Sequence, residues 1–328
     1  MHIQRRRPLK VGLALFPMEG LMDGQTARWT DIVAMAHKAE EVGFDSIWVN
    51  DHFMLQLGAW HPTQSPVSPG NEADQVGMWE CMSVLSALAA TTSRVELGTL
   101  VICAGFRNPA LLAKMADTID EISGGRLILG LGAGYHDPEY HAFGYPTDHR
   151  YSRFQEAIQI IHGLLRDGSI DFAGTYYQAR ECELRPRGPR AGGPPIMIGT
   201  RGKKTLRLTA RYADLWNTFL PAQWRSRLEY LAPEKGLVDV ACQEVGRAPS
   251  TLGRTAWMQW RPADQPDAIP PWVLRLGEPF TGTPEEVATA FREIAHVGVS
   301  HLQVAIYPNS LAGIEAFCPV LEALDQSN

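Results

Sequence analysis

Asn108-Pro-Ala-Leu-Leu-Ala-Lys-Met-Ala-Asp-Thr-Ile-Asp-Glu-Ile-Ser-Gly-Gly-Arg-Leu-Ile-Leu-Gly-Leu131 contains one complete helix-and-strand unit. Leu112, Met115, Ile119 and Ile122 recur at helical spacing. Asn108 suits the N-cap and Pro109 the first helical position, where the missing N–H costs nothing. Gly124-Gly125 stops the helix, because glycine tolerates the left-handed turn that ends one. Arg126-Leu-Ile-Leu-Gly-Leu131 then reads as a strand that is apolar on both faces, as strands in covered parallel sheets are.

The same alternation runs outward in both directions. Apolar runs start near residues 11, 46, 96, 127, 195, 214, 255 and 302. Helical patterns separate them over about Thr30 to Val42, Trp79 to Thr91, Tyr151 to Arg166 and Lys203 to Tyr212, and again from Thr283 through Val297. Eight apolar strands alternating with amphipathic helices predict an α/β fold, a (β/α)8 TIM barrel, as a single domain over residues 1–328. Two stretches stand outside the alternation. Residues 54–77 are rich in Pro, Gly, Ser and Gln and read as a long binding loop. Residues 168–193 are polar and read as a hairpin excursion.

Composition narrows the function classes. The chain has 328 residues, 45% hydrophobic and 20% charged, with a formal net charge of −6. That balance gives nucleic-acid binding no electrostatic support. The five cysteines include no C-x-x-C pair, so neither a disulfide framework nor a thiolate zinc site is expected, and a reducing cytoplasm is the expected compartment. No run approaches the roughly 20 apolar residues that span a bilayer. H-E-x-x-H and G-x-S-x-G are absent, which removes support from metal and serine hydrolysis.

Barrel chemistry sits at the C-terminal ends of strands, so those ends define the candidate site. The second strand ends in Asp51-His52; the imidazole there either passes a proton or is a buried histidine held by Asp51. The third ends near Cys103, followed by Arg107, which holds either an anion or a structural carboxylate. The fourth runs into Gly130-Leu-Gly-Ala-Gly134-Tyr135-His136. This is not G-x-G-x-x-G, since Tyr135 stands at the last glycine and Pro138 follows in place of a helix opening. The fifth gives Gly199-Thr-Arg-Gly-Lys203 and a helix, a phosphate cradle or a capped turn. Trp60, Trp79, Trp216 and Trp257 are candidates for an apolar pocket, or core. Asp117, Asp120 and Glu121 fall on a helix away from the strand ends and read as packing groups.

Taken together, Gly43-Phe-Asp-Ser-Ile-Trp-Val-Asn-Asp-His-Phe53, Leu97-Gly-Thr-Leu-Val101, Arg107-Asn-Pro-Ala-Leu-Leu-Ala-Lys-Met115, Ile122 to Gly134, Ile196 to Gly199 and Ala210 to Asn217 resemble the bacterial luciferase-like monooxygenase superfamily, most of all its branch that uses the deazaflavin coenzyme F420. The resemblance implies a flavin or deazaflavin at the barrel mouth, with FMN as the alternative to F420. It also implies a homodimer, a small-molecule substrate and, for FMN, a separate reductase. It places His52 at the ring's polar edge as the catalytic residue. Leu100 and Val101 would form a non-proline cis bulge under the ring. Asp51, Cys103, Gly134 and Tyr135 would lie beside the ring, and Gly199, Thr200, Arg201, Gly202 and Lys203 around the phosphate. Thr200-Arg201 departs from the glycine run usual in that loop. A non-catalytic flavin-binding protein and an unrelated sugar-phosphate barrel enzyme are the competing readings.

Overall fold

A computed structural model describes residues 7–56, 75–220, 224–265, 269 and 273–326. Eight parallel strands close into a barrel: β1 (Lys10–Ala14), β2 (Ser46–Val49), β3 (Glu96–Thr99), β4 (Leu127–Gly132), β5 (Ile196–Gly199), β6 (Leu215–Phe219), β7 (Gly253–Trp260) and β8 (His301–Ile306). β1 pairs with β8 and β2, and β4 pairs with β5, so no edge of the ring is left open. Every strand expected from the sequence is present. The ring is packed outside by α1 (Trp29–Val42), α2 (Cys81–Thr91), α3 (Pro109–Ser123), α4 (Arg150–Asp167), α5 (Lys203–Tyr212), α6 (Trp224–Glu244), α7 (Pro284–His296) and α8 (Leu311–Asp325).

Local chemistry sets the helix ends as the sequence suggests. Asn108 accepts from the N–H groups of Ala110 and Leu111, with Pro109 opening α3 and Gly124 closing it at φ 69°. Thr283 and Glu286 form a reciprocal capping box at α7. The sequence pattern misses α6 and α8. Each carries an internal proline, Pro233 and Pro319, which reads as a break when no tertiary contact is known. A short helix, Asp137–Ala142, corrects the reading of Pro138. Proline within the first helical turn opens a helix as readily as it ends one.

Residues 168–193 contain the expected hairpin, Ser169–Ala173 against Gln178–Glu183. The segment after it is pinned to α3, where Asp117 accepts from the Gly188 N–H (2.8 Å) and buried Asp120 pairs with Arg190 (2.8 Å to Nε). These are the packing roles expected for the two aspartates. Met54–Gln56 pairs with Gln75–Gly77 at the base of the other excursion. Residues 57–74, with Trp60, lie outside the described residues.

The barrel interior is filled by Trp48, Ile128 and Met197, with Leu100, Val101 and Leu215 packed against them. Trp48 has no exposed surface, and its indole N–H donates to Ser46 Oγ (2.7 Å). That hydroxyl also meets His301 Nε2 (2.7 Å). Burial, with Lys10 adding to it, pushes the His301 imidazole down to about 3. Glycine on both neighbouring strands makes room for the indole. A Cβ on Gly12 would fall 2.2 Å from Ser46 Oγ, and one on Gly98 would fall 2.1 Å from the Trp48 ring. Above this layer β3 and β4 lose step. Gly98 faces Ile128 but Ile102 faces Leu131, so the third strand carries one extra residue. The Leu100–Val101 peptide inside that bulge is cis.

Gly98→Ala should therefore destabilise the fold by about 1–3 kcal/mol through overpacking. Gly236→Ala in α6, where a Cβ meets nothing within 4 Å, should be neutral or stabilising by up to about 1 kcal/mol. Denaturant titration of both variants checks the pair; a Gly98→Ala protein as stable as wild type would contradict this account of the interior.

Candidate functional site

The C-terminal ends of the strands open into a cavity of about 600 Å³. Its floor is Leu100, Val101 and Ile102, directly above the Trp48 layer. His52, Asp51, Cys103, Gly134, Tyr135, Gly199, Thr200 and Arg201 all face it, so most of the expected site residues converge. Gly202 and Lys203 are not among its lining residues; Gly202 is the N-cap of α5 and Lys203 its first residue.

Asp51 is 3% exposed and is held from inside the protein. Arg107 grips it bidentately (2.7 and 2.8 Å), and Cys103 donates its backbone N–H (2.9 Å). Arg107 also pairs with Glu80, the N-cap of α2, so its partners are structural carboxylates. Burial works against the Arg107 charge, and the Asp51 and Glu80 carboxylates more than offset it, holding the guanidinium above its ordinary value.

His52 is not held by Asp51. Its Nδ1 meets Glu139 Oε2 at 2.7 Å, and its Nε2 meets the Tyr135 hydroxyl at 3.1 Å. Glu139 comes from the short helix after β4 and is 1% exposed. Its other oxygen accepts the N–H groups of Phe53 (2.6 Å) and Met54 (3.1 Å). With its carboxylate oxygen facing Nδ1, that atom carries the hydrogen and Nε2 is the basic nitrogen toward Tyr135. The next residue along, His136, uses Nε2 to accept the Gln56 N–H (3.0 Å), which requires a neutral ring. Burial, with a further push from His52 against the pull of Glu139, lowers His136 to about 4.

At the end of the third strand Cys103 Sγ lies 2.9 Å from the Tyr140 hydroxyl, which itself donates to the Ala133 carbonyl (3.1 Å). The thiol is therefore the donor of that contact. Burial pushes it up to about 12, so it is an inert wall group rather than a nucleophile. Gly134, at φ 77°, passes over this pair. A Cβ there would fall 2.1 Å from the Tyr140 oxygen, so only glycine lets the chain pass this close to the pair.

On the opposite wall Arg201 donates to the Phe219 carbonyl (2.9 Å) and stacks over Tyr230 (4.9 Å). Phe16, Met18, Phe219, Trp257 and Tyr307 add aromatic and apolar lining, and Asn50, Asn217 and Thr218 add polar lining, with Asn50 Oδ1 and the Trp257 indole N–H buried without a partner among the described residues. Of the four candidate tryptophans, Trp257 joins the wall. Trp216 is core, Trp79 is 44% exposed and donates to the Ala27 carbonyl, and Trp60 is not among the described residues. Among the described residues no cluster of His, Cys, Asp and Glu is placed to hold a metal ion.

The sequence profile of luciferase-like monooxygenases matches residues 9–236. The chain belongs to that family. Among its relatives are an F420-dependent glucose-6-phosphate dehydrogenase of Amycolatopsis mediterranei, 35% identical over 51% of this chain and 49% of the relative, and an F420-dependent hydroxymycolic acid dehydrogenase of Mycobacterium tuberculosis, 31% identical over 69% and 57%. The pyrimidine monooxygenase RutA of Stutzerimonas stutzeri is 26% identical over 76% of this chain and 79% of its own. The chain spans about half the length of the first of these. An F420-dependent secondary alcohol dehydrogenase solved with an F420–acetone adduct shares the fold, with a TM-score of 0.75 at 20% identity, covering 96% of this chain and 99% of that one. Luciferase-like family membership and the barrel expected from the sequence thus agree.

Sequence reading missed Glu139. A carboxylate three residues beyond His136 gives no signal until the short helix turns it toward the β2 end. Glu139→Gln should retain the fold but present an N–H to Nδ1, moving the His52 hydrogen to Nε2, as ¹⁵N shifts of the imidazole would report. Glu139→Ala should cost at least about 2 kcal/mol, because buried donors lose their acceptor. For His136 the folded value lies below the ordinary 6.5, so its contribution is full above that pH and is lost as pH falls toward about 4. His136→Gln should flatten the stability profile in that window; an unchanged slope would remove His136 as its source.

Proposed function

We propose that this chain is an F420-dependent oxidoreductase acting on a small organic substrate. The observation that carries the reading is the convergence, in one cavity, of a histidine nitrogen backed by a buried carboxylate and, on the opposite wall, Arg201 just before the start of α5. When bound, the deazaflavin accepts or returns a hydride, chemistry that no side chain supplies.

The residues fit such a group. Leu100 and Val101 offer a flat apolar floor, and the Gly132–Gly134 backbone leaves space beside it. Cys103 and Tyr135 would border the ring. The Thr200 N–H is taken by the Asn217 carbonyl (3.3 Å), so the phosphate would rest on the first N–H groups of α5 at Gly202 and Lys203 and on the positive charge of Arg201 and Lys203, with Gly199 and Thr200 beside it. Asp51 acts at one remove, fixing the Cys103 backbone.

His52 Nε2 receives the hydroxyl proton when an alcohol is oxidised and returns it when a carbonyl is reduced. Glu139 supplies the counter-charge for the imidazolium and fixes the ring's orientation. Tyr135, whose hydroxyl occupies the lone pair of that nitrogen (3.1 Å), would relay the proton, passing its own hydrogen to Nε2 as it takes that of the substrate. The apolar lining keeps bulk water from the reacting carbon.

The second reading, reduced FMN with oxygen and a partner reductase, is favoured by the pyrimidine monooxygenase relative, whose match extends over three quarters of the chain. A homodimer in the cytoplasm also belongs to this proposal.

Side-by-side titration with F420 and FMN tests the cofactor. Saturable F420 binding is expected, weakened about tenfold or more in Arg201→Ala by loss of a charged contact. His52→Ala should lower turnover by about a hundredfold or more. FMN binding with oxygen uptake and no response to F420 would overturn the proposal in favour of the second reading.

A further inference from the structure

Glu139 and Tyr135 meet His52 at its two ring nitrogens, and both belong to one short segment, residues 135–140. His136 in the same segment accepts the Gln56 N–H, and Tyr140 meets the Cys103 thiol. The helix within it, Asp137–Ala142, has six residues. A helix that short is not stable alone, because fixing its first turn costs more than one hydrogen bond returns. Its direction, and with it the direction of both His52 partners, must come from tertiary contacts.

One side chain outside the segment touches it at three points. Arg150, the first residue of α4, pairs with Asp137, donates to the Tyr135 carbonyl (3.4 Å) and lies over the Tyr140 ring (5.1 Å to its centre). Its guanidinium has no other hydrogen-bond or ion-pair partner among the described residues, and its Nε is buried without one. The frame behind it is firm, since α4 sinks Phe154, Ala157, Ile158, Ile160 and Ile161 into the core. The ion pair itself adds little to global stability. The Arg150 side chain is 25% exposed and that of Asp137 is 55% exposed, and water screens a pair so placed. What the contact supplies is direction: it ties the segment that flanks the imidazole to a rigid helix.

We propose that Arg150 is a positioning residue for His52, acting through residues 135–140 to aim Tyr135 and Glu139 at the two ring nitrogens. The proposal rests on the reading above, in which His52 handles the substrate proton. Arg150 is not among the residues that line the cavity, so it acts through the segment alone. A displacement of about 1 Å at a reacting group can cost on the order of a hundredfold in rate. A guanidinium outside the cavity therefore bears on the chemistry inside it. A shift of this segment moves both His52 partners together, whereas loss of either partner alone would leave the other in place.

The test is NMR of the cofactor-free protein with ¹⁵N-labelled histidine, at a pH about two units above the ordinary imidazole value so that the rings are neutral. The His52 signals are assigned by their loss in His52→Ala. In the wild type its two nitrogens should be well separated, as a single tautomer requires. Arg150→Met should narrow that separation by about a third or more as the tautomers begin to exchange, while the thermal midpoint stays within about 4 °C of wild type. Arg150→Lys, which keeps a cation for Asp137, should recover most of the separation. Asp137→Asn, which removes one of the three contacts, should narrow it by less. Unchanged His52 signals in folded Arg150→Met overturn the proposal. So does a narrowing that Arg150→Lys fails to correct and that accompanies a fall in midpoint beyond about 10 °C, because the loosening is then general. If Arg150→Met does not fold, Asp137→Asn decides by the same sign. Titration with F420 runs alongside: protein that ignores F420 yet shows the narrowing removes the cofactor reading and leaves the role of Arg150 in place.

Discussion

An indole packed between two glycines determines the shape of everything above it. Trp48 occupies the middle of the barrel, and only hydrogen in place of a side chain at Gly12 and Gly98 lets it fit. An interior filled to that height cannot be a pore. It becomes a cup, with Leu100 and Val101 resting on the indole layer and forming the surface on which a flat molecule can lie. The polar atoms of this layer are linked in series: Trp48 donates to Ser46, whose hydroxyl meets His301. Burial keeps that imidazole neutral, so it completes the plug without placing a charge beneath the cavity.

The chemistry of the mouth follows from how its carboxylates are used. Asp51 and Glu139 both border the cavity, yet neither is available as an unengaged acid. Asp51 fastens the end of β2 to the segment after β3 through Arg107 and the Cys103 N–H. Glu139 fastens the chain after β2 to the short helix after β4. One side chain that both anchors two backbone groups and orients His52 couples the order of the loop to the orientation of the imidazole. Reactivity is left to a nitrogen whose direction is set from behind, a common arrangement where geometry must be held tightly.

The fold was legible because its signal is periodic. Apolar strands and amphipathic helices repeat around the barrel, and caps such as Asn108 and Thr283 mark their own positions. Two helices escaped because Pro233 and Pro319 look like breaks, whereas packing in the folded chain tolerates them. The site was legible to the extent that it follows the strand ends: His52, Cys103, Tyr135 and Arg201 do face one another. Glu139 was not, because its contact with His52 joins residues 87 apart through a helix whose proline had argued against it. Trp257 was offered by the sequence as a pocket residue, but its neighbours Phe16 and Tyr307 escaped for a similar reason: the three come from different strand ends and meet only when the ring closes.

That closure has a cost in time. β1, near one end of the sequence, has β8 as a partner, and Arg7 beside it is bound to Asp325 in α8, 318 residues away. During synthesis the first strand must wait for the last before its second edge is covered. A chain growing on the ribosome therefore holds an open, twisted sheet with exposed apolar margins for most of its translation. Such a nascent sheet is a natural client for chaperones. Slow elongation over the codons of β8 would lengthen the interval in which two half-made chains can zip to each other instead of to themselves.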